Sequence, residues 1–326
     1  MEFQPYPLTV KPILKEKVWG GRNLSAYVSI KSKKTGEAWM LADRDENNSV
    51  ITSGSLKGMT IGKAVEKYPE QIMGPALIKK YGKKFPLLFK YLDTNDRISV
   101  QVHPDDSYAR RRGFPAGKTE MWYVLANRPG AKILAGFKGR QTRKTFARAV
   151  KNGTLADKLK SYRTAKNDCF FIPAGTVHAI GKGNVIFEIQ QNSDITYRIY
   201  DWGRSDLKGD RGLNIIDAIN SVKFGSKGGK VISKEKIIPG KIRVRQLARC
   251  GYFYCDEIII GKNTAYWYDE NKALVLTVIE GDISIAADNG KTYSYVKGDL
   301  VFFPYSLTGL LISAAKNSRL IITEAK

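Results

Sequence analysis

Short apolar runs, each cut off by Gly, Pro, Asn or Asp, set the rhythm of this chain. Six of them, at 85–92, 97–102, 121–125, 169–172, 185–190 and 196–200, are rich in β-branched and aromatic residues and are predicted strands. Helical spacing of apolar residues is confined to three stretches. Residues 60–68 form a short one. Residues 142–160 carry Phe146, Ala147, Val150, Leu155 and Leu159 on one face, interrupted at Gly153, and 213–222 carry Leu213, Ile216, Ala218 and Ile219. The Gly-rich stretch 225–230 reads as a linker, and strand patterns resume beyond it. The expected fold class is mainly β, with a few helices inserted in or flanking the first part.

The pattern also repeats. Asn167-Asp168-Cys169-Phe170-Phe171-Ile172-Pro173 is echoed by Gly298-Asp299-Leu300-Val301-Phe302-Phe303-Pro304. Each is a turn with Asp, then an apolar strand closed by proline. The phrase resembles the second half-motif of a cupin, a small jelly-roll barrel. Five residues after the first proline stands His178; the same position after the second is Gly309. Two cupin-like jelly-roll barrels are therefore expected: a catalytic one with helical segments at 1–225, and a second at 226–326 lacking metal ligands. A chain of 326 residues is long enough for both.

Composition narrows the class. With 43% hydrophobic residues, 17 Tyr, 13 Phe and 5 Trp, the chain can build real cores and is not disordered. Its cysteines, Cys169, Cys250 and Cys255, are odd in number without framework spacing, and read as reduced thiols. No signal peptide precedes the first strand and no apolar run is long enough to span a bilayer, so a soluble, cytoplasmic protein without a membrane partner is expected. The net charge of +23 favours anionic partners. The basic residues are dispersed in short groups, such as Lys79-Lys80, Lys83-Lys84, Arg110-Arg111-Arg112 and residues 138–144, with no RNA-binding motif or zinc finger. They read as a solvated surface rather than a specific nucleic-acid site, and Arg110 to Arg112 as a solvated loop.

The chain has two histidines, and both stand in strand-and-turn settings. Gln101 and His103 are two apart in Ser99-Val100-Gln101-Val102-His103-Pro104-Asp105-Asp106, so on a strand they share a face. Glu120 opens the next predicted strand, and His178 comes from the second half of the first barrel. Together they offer an amide oxygen, two imidazoles and a carboxylate. That set suits a divalent ion such as Zn²⁺, and four protein ligands with room for water make a catalytic rather than a sealed site. Taken singly, Glu120 also reads as a turn residue and Gln101 as a strand-pairing residue.

Longer phrases go further. Ile98-Ser99-Val100-Gln101-Val102-His103-Pro104-Asp105-Asp106, Gly117-Lys118-Thr119-Glu120-Met121-Trp122-Tyr123 and Gln190-Gln191-Asn192-Ser193-Asp194-Ile195-Thr196-Tyr197-Arg198-Ile199-Tyr200-Asp201 closely resemble the signatures of the type I phosphomannose isomerase family, in its short bacterial form. Lys17-Val18-Trp19-Gly20-Gly21 and Gly36-Glu37-Ala38-Trp39 add to the likeness. The resemblance implies a zinc-dependent aldose–ketose isomerase acting on mannose 6-phosphate and fructose 6-phosphate through a cis-enediol. It places one zinc per chain on Gln101, His103, Glu120 and His178, and a catalytic arginine at Arg198. It also brings Lys90, Lys118 and Glu188 to the pocket. Lys90, Lys118 and Arg198 are the implied substrate contacts; Glu188 or Lys118 is the implied proton carrier. Some longer relatives carry a histidine near Gly117, which this chain lacks, so a histidine base does not carry over. The other classes left open are a non-catalytic sugar-phosphate-binding cupin, a metal-dependent cupin oxygenase and a nucleic-acid binder. Nothing in the pattern specifies an oligomeric state.

Overall fold

The computed structural model describes residues 3–204, 212–240, 242–288 and 290–326. Among them, strands dominate and form four larger antiparallel sheets. The first sheet orders its strands Gly229–Lys230, Cys169–Ile172, Glu120–Asn127, Asn184–Gln191, Leu87–Thr94, Thr35–Leu41 and Ile13–Gly21. Facing it is a five-stranded sheet of Leu159–Arg163, Lys132–Phe137, His178–Ile180, Val100–Val102 and Tyr197–Tyr200. The remaining chain builds a second facing pair, seven strands against four. The mainly β reading holds. Each pair is an open sandwich of facing sheets, not a closed ring of hydrogen-bonded strands.

The two seven-stranded sheets lie back to back. Leu87–Thr94 and Asn184–Gln191 are buried at every residue, because both of their faces are covered. Alternate residues separate the two environments. Phe89, Tyr91, Met121, Tyr123, Phe187 and Ile189 point into a core shared with Phe253, Val275, Phe302 and Ile321 of the second pair. Leu92, Trp122, Val124 and Ile186 point the other way, toward Ile133, Ala135 and Ile180 of the five-stranded sheet. Short cross-links fix the junction: the Tyr91 hydroxyl donates to the Gly298 carbonyl at 3.1 Å, and Arg245 donates to the Asn167 carbonyl at 2.7 Å.

The repeat is visible in three dimensions. Cys169–Ile172 pairs with residues 120–123, and Leu300–Phe303 pairs with residues 274–277. The two sandwiches differ inside. The second is filled by Ile258, Ile260, Leu274, Leu276, Val278, Ile283, Ile285, Phe303 and Ile312, with Gly309 offering no side chain. The two parts also exchange edge strands. Leu8–Thr9 pairs with Leu300–Phe303, and Gly229–Lys230, within the expected linker, pairs with Phe170 and Phe171.

The helices differ in detail from their expected spans. The stretch 142–160 is α-helical only over Arg143–Lys151; Gly153 turns the chain at φ 67°, a single 3-10 turn follows at Ala156–Lys158, and Leu159 already belongs to a strand. In the third stretch the helix is Ile215–Ser221, and its inward face is Ile215, Ala218, Ile219 and Val222 rather than Leu213 and Ile216, which are exposed. Arg110 and Arg111 end a helix, Asp106–Arg111, instead of lying in a loop, and Arg112 pairs with Asp217 at 3.0 Å.

Candidate metal centre and substrate cavity

The strand register brings the chemistry together. In the five-stranded sheet, Gln101 lies between Arg198 and His178 on neighbouring strands. In the facing sheet, Glu188 lies between Lys90 and Trp122. Glu120 projects from the first residue of its strand, and His103 follows the end of Val100–Val102. The site therefore sits between two sheets, with donors from both.

His103, Glu120 and His178 are fully buried, and their ligand atoms lie within 4.8 Å of one another. Glu120 Oε1 is 3.5 Å from His103 Nε2 and 3.3 Å from His178 Nε2. Each ring gives its Nδ1 hydrogen to a backbone carbonyl at 2.9 Å, Ile195 for His103 and Thr176 for His178. This leaves both Nε2 lone pairs aimed at the centre. Gln101 reaches the same point, its amide nitrogen 3.2 Å from His178 Nε2 and its oxygen held by Ser99 at 3.2 Å. A half-turn of the amide, whose two ends are nearly the same size, presents the oxygen instead.

The residues fit a divalent cation. His103 Nε2 and both Glu120 oxygens are buried without a hydrogen bond. Burial pushes the His103 pKa down to about 3, reinforced by Lys118 and opposed by Glu120, so the ring is neutral. Burial lowers His178 as well. For Glu120 burial acts upward, but the Lys118 ammonium opposes it and the group is held well below the carboxylate range. Two neutral imidazoles and one carboxylate are the ionisation states a metal requires.

Backbone ties hold the ligand loops. The Gly175 N–H donates to the His103 carbonyl at 2.7 Å, and the Lys118 N–H to the Pro104 carbonyl at 3.0 Å. Asp105 caps the helix that follows His103, and Asp106 accepts from the Gly117 N–H at 2.8 Å and the Gln191 side chain at 2.9 Å. A Cβ on Gly117 would lie 2.5 Å from the Pro104 oxygen, so this close approach of two loops requires glycine there.

Gln101 lies at the wall of a cavity of about 380 Å³ that Lys90, Lys118, Glu188 and Arg198 also line. All the site residues expected from sequence thus converge, and Arg110 to Arg112 do not reach it. Lys90 is buried in mid-strand and surrounded by Glu188 at 3.4 Å, Asp194 at 3.9 Å and Glu37 at 4.0 Å. Glu188 also accepts the Trp122 indole N–H at 2.9 Å, and burial raises its pKa despite Lys90. The Lys118 ammonium lies 3.2 Å from Glu120. Lys17, Trp19, Glu37, Asp194 and Asn214 line the cavity too, unassigned by the sequence reading. The signal for all but Asn214 was present in the Lys17–Gly21, Gly36–Trp39 and Gln190–Asp194 phrases, which carried resemblance but no stated chemistry; no phrase pointed to Asn214.

Comparison with known proteins agrees with this geometry. The profile of phosphomannose isomerase type I, catalytic domain, matches residues 8–139. Mannose-6-phosphate isomerase ManA of Bacillus subtilis is 34% identical over 305 residues, covering 92% of this chain and 94% of that protein. The chain belongs to the type I phosphomannose isomerase family. A mannose-6-phosphate isomerase of Streptococcus mutans is 36% identical over 222 residues, 67% of this chain and 68% of the relative. Among solved structures, the mannose 6-phosphate isomerase of Bacillus subtilis superposes with a TM-score of 0.88 at 30% identity, covering 98% of this chain and 99% of that one. The family's fold extends to a phosphomannose isomerase of Salmonella typhimurium at 15% identity, TM-score 0.77, with 98% and 99% covered.

Proposed function

We propose that this chain is a zinc-dependent mannose-6-phosphate isomerase, interconverting mannose 6-phosphate and fructose 6-phosphate through a cis-enediol. The observation that carries the reading is the buried His103–Glu120–His178 cluster opening, past Gln101, on a cavity lined by Arg198, Lys90, Lys118 and Glu188. Gln101, His103, Glu120 and His178 would hold the ion. When bound, it supplies Lewis-acid stabilisation of negative charge on a sugar oxygen.

The remaining chemistry belongs to the side chains. Moving a hydrogen between C1 and C2 needs a group that accepts and returns a proton. Glu188 is placed for this: it is buried, lines the cavity, and has its proton affinity raised by burial. Lys118, the other candidate, is engaged with Glu120. Arg198, one strand from Gln101, is the donor to developing oxygen charge. Lys90 keeps Glu188, Glu37 and Asp194 in register.

The charge balance suits the substrate. Lys17, Lys90, Lys118 and Arg198 are matched by Glu37, Glu188, Asp194 and Glu120. A divalent ion then leaves a surplus that complements a phosphate dianion. Free cysteines suit a reducing, cytoplasmic setting, and no described helix is long and apolar enough to cross a membrane.

The test is a coupled assay on mannose 6-phosphate, with and without chelator, beside His178→Ala. Turnover abolished by chelator, restored by zinc, and absent from His178→Ala together with stoichiometric metal is the expected result. Turnover unaffected by complete metal removal refutes zinc dependence; binding of mannose 6-phosphate without turnover identifies a non-catalytic sugar-phosphate binder.

A further inference from the structure

Among the described residues, four cationic side chains line the cavity, and they are not equivalent. Lys90 and Lys118 are buried and committed, Lys90 to three carboxylates and Lys118 to Glu120. Arg198 neighbours Gln101, at the metal end. Lys17 stands at the opposite end, on the edge strand Ile13–Gly21, with its side chain 35% exposed.

We propose that Lys17 receives the phosphate of the substrate and sets the preference for phosphorylated over free sugars. This rests on the isomerase reading and deepens it. Position is the first argument. The strand of Lys17 lies four places along the sheet from the strand of Glu120. At about 4.8 Å per strand the backbones are ~19 Å apart. Side chains reaching inward from both ends shorten this toward the length of a six-carbon sugar with phosphate at its far end.

Construction is the second argument. Lys17 is held in place by its surroundings. Its stem crosses Gly36, where an added Cβ would lie 2.6 Å from Lys17 Cβ and 2.9 Å from the Trp19 ring. Its ammonium is set by Glu37 Oε1 at 3.3 Å, while Glu37 Oε2 takes the Trp39 indole N–H at 2.7 Å and faces Lys90. One carboxylate thus orients two lysines, and an ammonium with three donors keeps capacity for a further acceptor. Lys17 combines that placement with access to solvent, which a charged group entering the cavity needs.

The experiment compares glucitol 6-phosphate with glucitol, which cannot isomerise, by calorimetry on the zinc-loaded protein. Wild type, Lys17→Met, Lys17→Gln and Lys17→Arg are measured, followed by kinetics on mannose 6-phosphate. Both neutral variants are expected to lower the affinity ratio between the two alditols by roughly 10–100-fold, the range for a hydrogen bond to a charged group. Lys17→Arg should restore most of it, and the kinetic loss should fall in KM rather than kcat. An unchanged ratio in the neutral variants, or a loss confined to kcat, overturns the proposal. A wild-type protein that prefers glucitol 6-phosphate through Lys17 but does not isomerise mannose 6-phosphate sinks the isomerase reading and leaves this inference standing. Normal turnover with a ratio independent of Lys17 does the reverse.

Discussion

Lys90 and Glu188 stand in the middle of strands that are otherwise apolar and wholly buried. Burying an ion is costly unless it is paired, so such residues mark chemistry or a compensating network. Here the compensating network is visible around Lys90, and the proposed chemistry draws on Glu188. Glu188 gives a pH prediction. Burial raises its pKa above the ordinary 4.5, so the base form appears only at higher pH. The acid limb of kcat/KM should therefore lie above the normal glutamate range, and Glu188→Gln should abolish turnover while zinc stays bound. The linkage has the matching sign: stability from the neutral form is complete below the unfolded pKa and is lost as pH rises through the folded one. A pH–rate profile with its acid limb at or below 4.5 would remove Glu188 from the role. Arg198 makes a separate prediction. Arg198→Ala should keep zinc and fold but lose roughly 10²–10³-fold in kcat, as for one positioned donor to oxyanion charge. A change in KM alone would make it a binding residue instead. At this scale the sequence was informative where a residue type was rare, as for the two histidines, whereas Lys90 came only from the family resemblance. Lys17 and Glu37 broke no local pattern, because a lysine on an edge strand or a glutamate on the strand beside it is ordinary, and only the fold shows which face they occupy.

At the scale of elements, strands were legible and helix frames were not. Alternation with a period of two survives small errors, and both faces of the central strands are apolar for the reason the fold supplies: a sheet lies on each side. The helix at Ile215–Ser221 is short, and its two successive isoleucines allowed either to be taken as the inward one. Asp106–Arg111 is shorter still and has a charged sequence; its Asp105 cap was the available signal. What no local pattern reveals is how sheets stack. The back-to-back junction carries one buried ionic knot: Glu257, 1% exposed, is met by Arg245 at 2.8 Å, Arg319 at 2.7 Å and the Tyr123 hydroxyl. Tyr123 follows Trp122, whose indole donates to Glu188, so this knot backs a strand that lines the cavity. Glu257→Gln leaves two guanidinium groups short of a counter-charge and should destabilise the protein by about 3 kcal/mol in urea unfolding. A shift below about 0.5 kcal/mol, the usual range for surface changes, would show the knot to be solvated in solution.

Across the whole molecule, the four sheets stack in a row, helices cover the outer face of the first sandwich, and the charged surface lies outside this stack. The excess of +23 is spread over that exterior rather than gathered on one element. Several of its cations are already engaged: Lys84 with Asp45, Arg112 with Asp217, Lys223 with Asp105, Arg249 with Asp256. Single-stranded nucleic acid is held by a basic groove with aromatic rings on which bases stack. The deep cavity instead balances its charges and encloses about 380 Å³, the scale of a small metabolite. Binding to DNA or RNA is therefore expected to be weak, indifferent to sequence and dependent on released counterions. Its affinity should fall steeply and linearly on a log–log plot as salt rises from 50 to about 200 mM. A salt titration against several unrelated DNA and RNA sequences measures this directly. Tight binding that survives physiological salt and favours one sequence would require a nucleic-acid surface that the dispersed charge does not provide.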